Sequence, residues 1–169
     1  MILPIFPKEL KKTVYSINYK KLYNQGYKAV VFDIDNTLTG HNAPTVEKNI
    51  KLMYYLSNIG FKIGIVSNNG YERVSSYVKT LEIFNIKVSY IYDAKKPLPK
   101  NYINISEALN ENISKTIFIG DQLFTDVLGA NLVGMYSIKV KPIEKDREIT
   151  IKIKRFFENI LLRLFYKEQ

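Results

Sequence analysis

The chain has 169 residues, 46% apolar and 24% charged, which fits one globular domain over residues 1–169 and excludes a disordered or low-complexity chain. Zero cysteines exclude disulfides and thiolate metal sites, and a single His excludes a His-rich zinc cluster, so metal chemistry here must use oxygen ligands. The net charge of +9 lies at the ends: residues 1–32 hold six Lys against one Glu, residues 33–138 hold ten basic and ten acidic groups, and residues 139–169 hold nine basic and five acidic.

Apolar runs rich in β-branched residues predict five strands, at Ala29 to Phe32, Lys62 to Val66, Val88 to Tyr92, Thr116 to Ile119 and Met135 to Val140. Helical spacing fills the intervals, over Val46 to Ser57 before Gly60, Tyr71 to Leu81, Leu98 to Leu109 after Pro97, and Phe124 to Leu132 before Gly134. Strand and helix alternate, which predicts right-handed crossovers and an α/β fold, a doubly wound (Rossmann-like) parallel sheet of about five strands. Near-continuous apolar strands agree with a sheet covered on both faces.

Ligands of open parallel sheets bind at the carboxyl ends of the strands, and the polar residues cluster there. The first strand ends in Asp33-Ile-Asp35-Asn-Thr37 and the second in Ser67-Asn68-Asn69-Gly70. The third leads to Asp93-Ala-Lys95-Lys96-Pro97, and the fourth ends in Gly120-Asp121-Gln-Leu-Phe-Thr125-Asp126. Two carboxylates one residue apart resist burial unless a reaction uses them. An aspartate can attack phosphorus and form an aspartyl phosphate that water later hydrolyses. Carboxylate and phosphate repel, so the attack needs a cation between them. Asp33 and Asp121 offer hard oxygen ligands for Mg²⁺, and Lys96 offers a point charge. Asp35, its ionisation disfavoured by a neighbouring acid, can carry a proton to the leaving oxygen. Ser67 and backbone N–H groups of the turns can hold phosphoryl oxygens, with Asn68 and Thr37 also candidate substrate contacts. Asp126 is placed to orient Lys96 or the metal's waters.

DIDNTL, SNN, KKP and GDQLFTD, in this order, resemble the four signature motifs of the haloacid dehalogenase superfamily of phosphotransferases. The resemblance covers about residues 28–140. VSNN, AKKP and GDQLFTDVLGAN look most like its capless YqeG-type branch, related to mitochondrial phosphatidylglycerophosphate phosphatases. It implies that Asp33 is the nucleophile and Asp35 the acid/base. It further implies that Asp33, the backbone carbonyl of Asp35, and Asp121 bind Mg²⁺, while Ser67 and Lys96 bind phosphate. Lys96 rather than Lys95 is the match, because it directly precedes Pro97.

Competing readings of single motifs fit less well. A calcium loop starting at Asp33 needs Gly at its sixth position and Glu at its twelfth, where this chain has Leu38 and Pro44. A phosphoacceptor receiver domain needs its acceptor Asp on the third strand. His41 reads as a lone surface histidine.

The intervals from Asp35 to Ser67 and from Ser67 to Lys96 each hold one helix and one strand, leaving no room for an inserted cap domain. Without a lid, exclusion of water falls to the substrate or the surface carrying it. From Ile149 to about residue 166 the tail forms a basic amphipathic helix, with Ile149, Ile153, Phe156, Ile160 and Leu164 on one stripe. That helix can lie in a membrane interface, with MILPIF adding apolar contact, or pack on the sheet as a last crossover. The charged ends likewise suit an anionic partner or reflect a Lys-rich composition alone.

No apolar run reaches the roughly 20 residues of a membrane span, so the expected location is cytoplasmic, peripheral at the inner membrane face. The expected function is Mg²⁺-dependent hydrolysis of a phosphomonoester through an aspartyl phosphate, with phosphatidylglycerophosphate as substrate and its lipid head group as partner. The rivals are a phosphatase of nucleic acid ends or nucleotides, and a non-catalytic binder of nucleic acid or of ribosomes in assembly.

Overall fold

The computed structural model describes residues 4–145 and 149–167, with side chains to residue 164. Residues 1–3 of the apolar N-terminal segment lie outside the described residues. Strand β1 (Glu9–Lys11) and the short helix α1 (Tyr19–Asn24) lead into β2 (Ala29–Phe32). Four crossovers follow: α2 (Glu47–Ile59) to β3 (Lys62–Val66), α3 (Tyr71–Glu82) to β4 (Val88–Ile91), α4 (Lys100–Ala108) to β5 (Thr116–Gly120), and α5 (Leu128–Val133) to β6 (Tyr136–Val140). Helix α6 (Ile149–Lys167) closes the described chain.

All strands are parallel in the order β1-β6-β5-β2-β3-β4. The sheet therefore has one more strand than the pattern predicts. Glu9–Lys11 has no apolar run, and it is a strand because its backbone pairs with β6, Glu9 opposite Ile138. The chain winds outward from β2 through β3 to β4, then returns to β5 on the other side of β2. The crevice between β2 and β5 is thus the topological switch point.

Alternate residues of each central strand serve opposite cores. Val30, Phe32, Ile63, Ile65, Ile117 and Ile119 pack with Met53 and Leu56 of α2 and with Val74, Tyr77 and Leu81 of α3. Ala29, Val31, Val66 and Phe118 pack with Tyr102 and Ile105 of α4 and Ala130 of α5. Two covered faces explain why β2 is buried at every position. Gly60 and Gly134 end α2 and α5 at φ 105° and 89°, a left-handed conformation that glycine adopts without a Cβ penalty.

The helix predicted over Phe124 to Leu132 begins instead with a wide π turn at Leu123–Val127. That turn follows β5 directly, and it swings Asp126 back toward the strand end.

Candidate active site

The tips of β2 and β5 adjoin, since Phe32 pairs with Ile119 and the Asp33 N–H donates to the Ile119 carbonyl at 3.0 Å. Asp33 and Asp121 therefore emerge side by side. Beyond Asp33 the chain turns through Asn36 at φ 61°, a left-handed position that Asn tolerates better than most residues.

Lys96 joins the two sides of the crevice. Its Nζ donates to Asp33 Oδ1 at 2.6 Å and to Asp126 Oδ1 at 2.7 Å, with the side chain 3% exposed. Asp126 Oδ2 accepts the Gln122 N–H at 3.0 Å. Asp126 lies so close to the strand end that a Cβ on Gly120 would sit 2.3 Å from its Cγ, so only glycine fits there. Asp33, Asp121 and Asp126 are all buried, with carboxylate oxygens within 4.8 Å of one another.

Burial pushes the Asp33 carboxyl up to about 7; Lys96 opposes that rise, and the Asp126 and Asp121 charges reinforce it. Burial would lower the Lys96 ammonium, but Asp126 and Asp33 more than reverse this and raise it. Asp33 and Asp126 thus share a single cation.

Asp121 is gripped from the far end of the chain. Arg155 of α6 donates to its Oδ2 at 2.7 Å and to its carbonyl at 2.9 Å, and Lys139 Nζ donates to the same carbonyl at 2.6 Å. Burial and Asp126 raise the Asp121 carboxyl to about 6, against the pull of Arg155 and Lys139. Glu158, one turn further along α6 and buried, accepts the N–H groups of Leu123 and Phe124 at 2.8 and 3.3 Å. The helix is thereby fastened to the start of the π turn.

These groups surround a cavity of about 260 Å³, lined by Asp33, Asp35, Ser67, Asn68, Lys96 and Asp126 together with residues from elsewhere in the chain. Asn68 lines it and also holds Lys96, whose backbone N–H donates to Asn68 Oδ1 at 2.8 Å. Asp121 lies behind this wall, grouped with Asp33 and Asp126. Thr37 does not reach the cavity wall: its hydroxyl donates to Asp121 Oδ1 at 3.3 Å, and the residue is buried. The neighbours of Asp35 differ from expectation. Arg73 Nη2 donates to its Oδ1 at 2.7 Å and Asn69 Nδ2 to its Oδ2 at 3.1 Å, and His41 lies 3.5 Å away. Cationic and amide groups, rather than another carboxylate, position this side chain. His41 accordingly belongs to the cavity rim and is not the lone surface residue that its position in the sequence suggests.

Sequence reasoning missed Arg73, Asn69, Arg155 and Glu158. Asn69 stands inside the SNN motif, and Arg73 is in the first turn of the helix that leaves the β3 tip, so position at a strand end was a usable signal for both. No local pattern marks Arg155 or Glu158. No cap is inserted between Asp35 and Lys96, as the spacing predicts, yet the mouth is not bare, because Ile151 and Lys154 of α6 form part of its wall.

A parallel sheet whose central tips present Asp33 and Asp121, with a lysine bridging Asp33 and Asp126, is the framework of the haloacid dehalogenase phosphatases. A solved relative, the HAD phosphatase from Thermococcus onnurineus, superposes with a TM-score of 0.51 at 29% identity, over 62% of this chain and 50% of that one. The chain belongs to the mitochondrial PGP phosphatase family, whose model matches residues 3–143. It is 31% identical to the probable phosphatase YqeG of Bacillus subtilis, over 92% of this chain and 88% of that protein. It is also 26% identical to phosphatidylglycerophosphate phosphatase 1 of Arabidopsis thaliana, over 85% of this chain but only 43% of that protein. The protein is a phosphatase.

Proposed function

We propose that the chain hydrolyses the terminal phosphomonoester of phosphatidylglycerophosphate in a Mg²⁺-dependent reaction at the cytoplasmic face of a membrane. The observation that carries the chemistry is the buried cluster Asp33, Asp121 and Asp126 around Lys96 at the switch point. Its donor set suits a hard divalent ion: carboxylate oxygens within 4.8 Å of one another. Both oxygens of Asp126 are already engaged, by Lys96 and by the Gln122 N–H. Asp33 and Asp121 would hold the ion with the Asp35 carbonyl, since Asp121 Oδ1 carries only the long 3.3 Å contact from Thr37, and Asp126 would support them. Bound Mg²⁺ supplies positive charge between the attacking carboxylate and the phosphoryl oxygens.

Asp33 attacks phosphorus, and the bond to the leaving alcohol breaks. Asp35, held at the rim by Arg73 and Asn69, gives a proton to the leaving oxygen. The same carboxylate then takes a proton from the water that attacks the aspartyl phosphate, releasing phosphate and restoring Asp33. Ser67 and Lys96 hold the phosphoryl oxygens throughout, in a crevice that α6 partly shields from water.

Support for a lipid substrate comes from the family model and from α6. Its apolar stripe faces away from the core, with Ile149 69%, Phe156 63% and Leu164 61% exposed, while Arg155 and Glu158 face the site. An outward apolar stripe among basic residues suits an anionic lipid interface. No helix among the described residues is long and apolar enough to cross a membrane.

Phosphate release should be measured from vesicles containing phosphatidylglycerophosphate, from a 3′-phosphorylated oligonucleotide and from glycerol 3-phosphate. The vesicle lipid is expected to be the best substrate, with no release in excess chelator or by Asp33→Asn. Faster release from the oligonucleotide would overturn the lipid reading. Undiminished release in chelator would overturn the metal.

A further inference from the structure

Two lysines at the cavity mouth have no part in the mechanism above. Lys145 and Lys154 both line the cavity, both are exposed, and neither has an ion-pair or hydrogen-bond partner among the described residues. They are nevertheless placed by fastened segments. The Ile143 and Glu144 N–H groups donate to the carbonyl and to Oδ1 of Asn36, each at 3.1 Å, and so pin the backbone just before Lys145 to the catalytic loop. Lys154 directly precedes Arg155, whose hold on Asp121 fixes this turn of α6 over the mouth.

The cations inside the cavity are already engaged by its carboxylates. Lys96 is shared by Asp33 and Asp126, Arg73 holds Asp35, and Arg155 holds Asp121. A transferring phosphomonoester would meet Lys96 and the divalent ion. The mouth lysines are surplus to that need, and they stand where the leaving alcohol must project. We infer that Lys145 and Lys154 form a subsite for a second anionic group, a phosphodiester carried on the leaving alcohol. The site then selects compounds in which a short polyol joins a phosphomonoester to a phosphodiester, and it discriminates against simple monoesters. This rests on the phosphatase reading of the preceding subsection and adds to it the source of its selectivity.

The test uses two soluble esters, so that membrane binding plays no part. Deacylated phosphatidylglycerophosphate carries both phosphate groups, and glycerol 3-phosphate carries only the monoester. The unaltered protein should prefer the first by about tenfold in kcat/KM, the scale of two charge-assisted contacts at an exposed site. Lys145→Ala combined with Lys154→Ala should erase the preference through KM, while Lys→Arg at both positions should keep it. Added salt should erode it in the unaltered protein.

Equal kcat/KM for the two esters in the unaltered protein, or a preference that survives the double Ala variant, would overturn the subsite and leave the phosphatase reading standing. No phosphate from either ester, nor from the vesicle lipid, would overturn that reading and the subsite with it.

Discussion

Arg155 donates to Oδ2 of Asp121 across 2.7 Å, which brings the last described helix into direct contact with a carboxylate of the acidic cluster. Removing the guanidinium leaves a wholly buried carboxylate whose remaining cation, Lys139, is spent on the backbone carbonyl. Arg155→Ala should therefore cost about 3 kcal/mol of stability, the scale for breaking a buried charge pair. Urea denaturation checks this, and a loss within the scatter of surface substitutions would contradict it.

Asp33→Asn should abolish turnover and yet raise the melting temperature of the metal-free protein at pH 8. The folded chain keeps a proton on Asp33 up to about pH 7, whereas the free carboxyl releases it near 3.8. Between those values the folded state binds more protons than the unfolded one, so stability declines as pH rises. The neutral amide escapes that decline. A gain of about 3 °C is expected above pH 7, fading toward pH 4. Calorimetry in chelator decides it, and a variant that melts lower at pH 8 would refute the argument.

Gly120→Ala should reduce kcat far more than it weakens the fold. The added methyl would collide with the Asp126 carboxyl, and relieving the clash moves Asp126 and the Lys96 ammonium with it. A shift of about 1 Å in a catalytic group costs on the order of 100-fold in rate. Steady-state kinetics beside a thermal melt separates this from simple unfolding. A full-rate variant would show that Lys96 is positioned by something other than Asp126.

Arg73→Ala should lower kcat about tenfold, because a general acid loses effectiveness when it is no longer aimed. The guanidinium also holds Thr39 Oγ1 at 2.8 Å, so it fixes the loop as well as Asp35. Arg73→Lys should recover only part of the rate, since one ammonium cannot reproduce the fork. Full rate in the Lys variant would mean that Arg73 acts through charge alone.

Ile153→Gln combined with Phe156→Gln should weaken binding to anionic vesicles and slow hydrolysis of the vesicle lipid, with less than about a twofold change on a soluble ester. Both residues are exposed on the stripe that points away from Asp121. Sedimentation with vesicles reads the first effect. Parallel losses on both kinds of substrate would place the stripe in the catalytic unit instead.

The sheet and the acidic tips were legible because each is written locally: four apolar runs end in the groups that meet at the switch point. Strand β1 was not, since Glu-Leu-Lys carries no apolar pattern and owes its conformation to β6. The short α1 was invisible for a similar reason. The tail's periodicity predicts an amphipathic helix and leaves open whether it packs on the sheet or lies in a membrane, and α6 spans Ile149–Lys167. Its polar face holds Asp121 and the start of the π turn through Arg155 and Glu158, while its apolar face looks outward. Periodicity shows that a helix has two faces and leaves open which of them meets the protein. Asp35 and Thr37 illustrate the same gap: their motif was evident, but their partners, Arg73 and Asp121, lie far along the chain.

Strand β1 has β6 as its neighbour in the sheet, with Glu9 opposite Ile138. During synthesis the N-terminal arm thus leaves the ribosome long before the strand that receives it exists. Assembly begins with β2, β3 and β4, and β1, made before them, docks among the last. Until then its unsatisfied backbone and apolar neighbours are open to any chaperone that attends nascent chains.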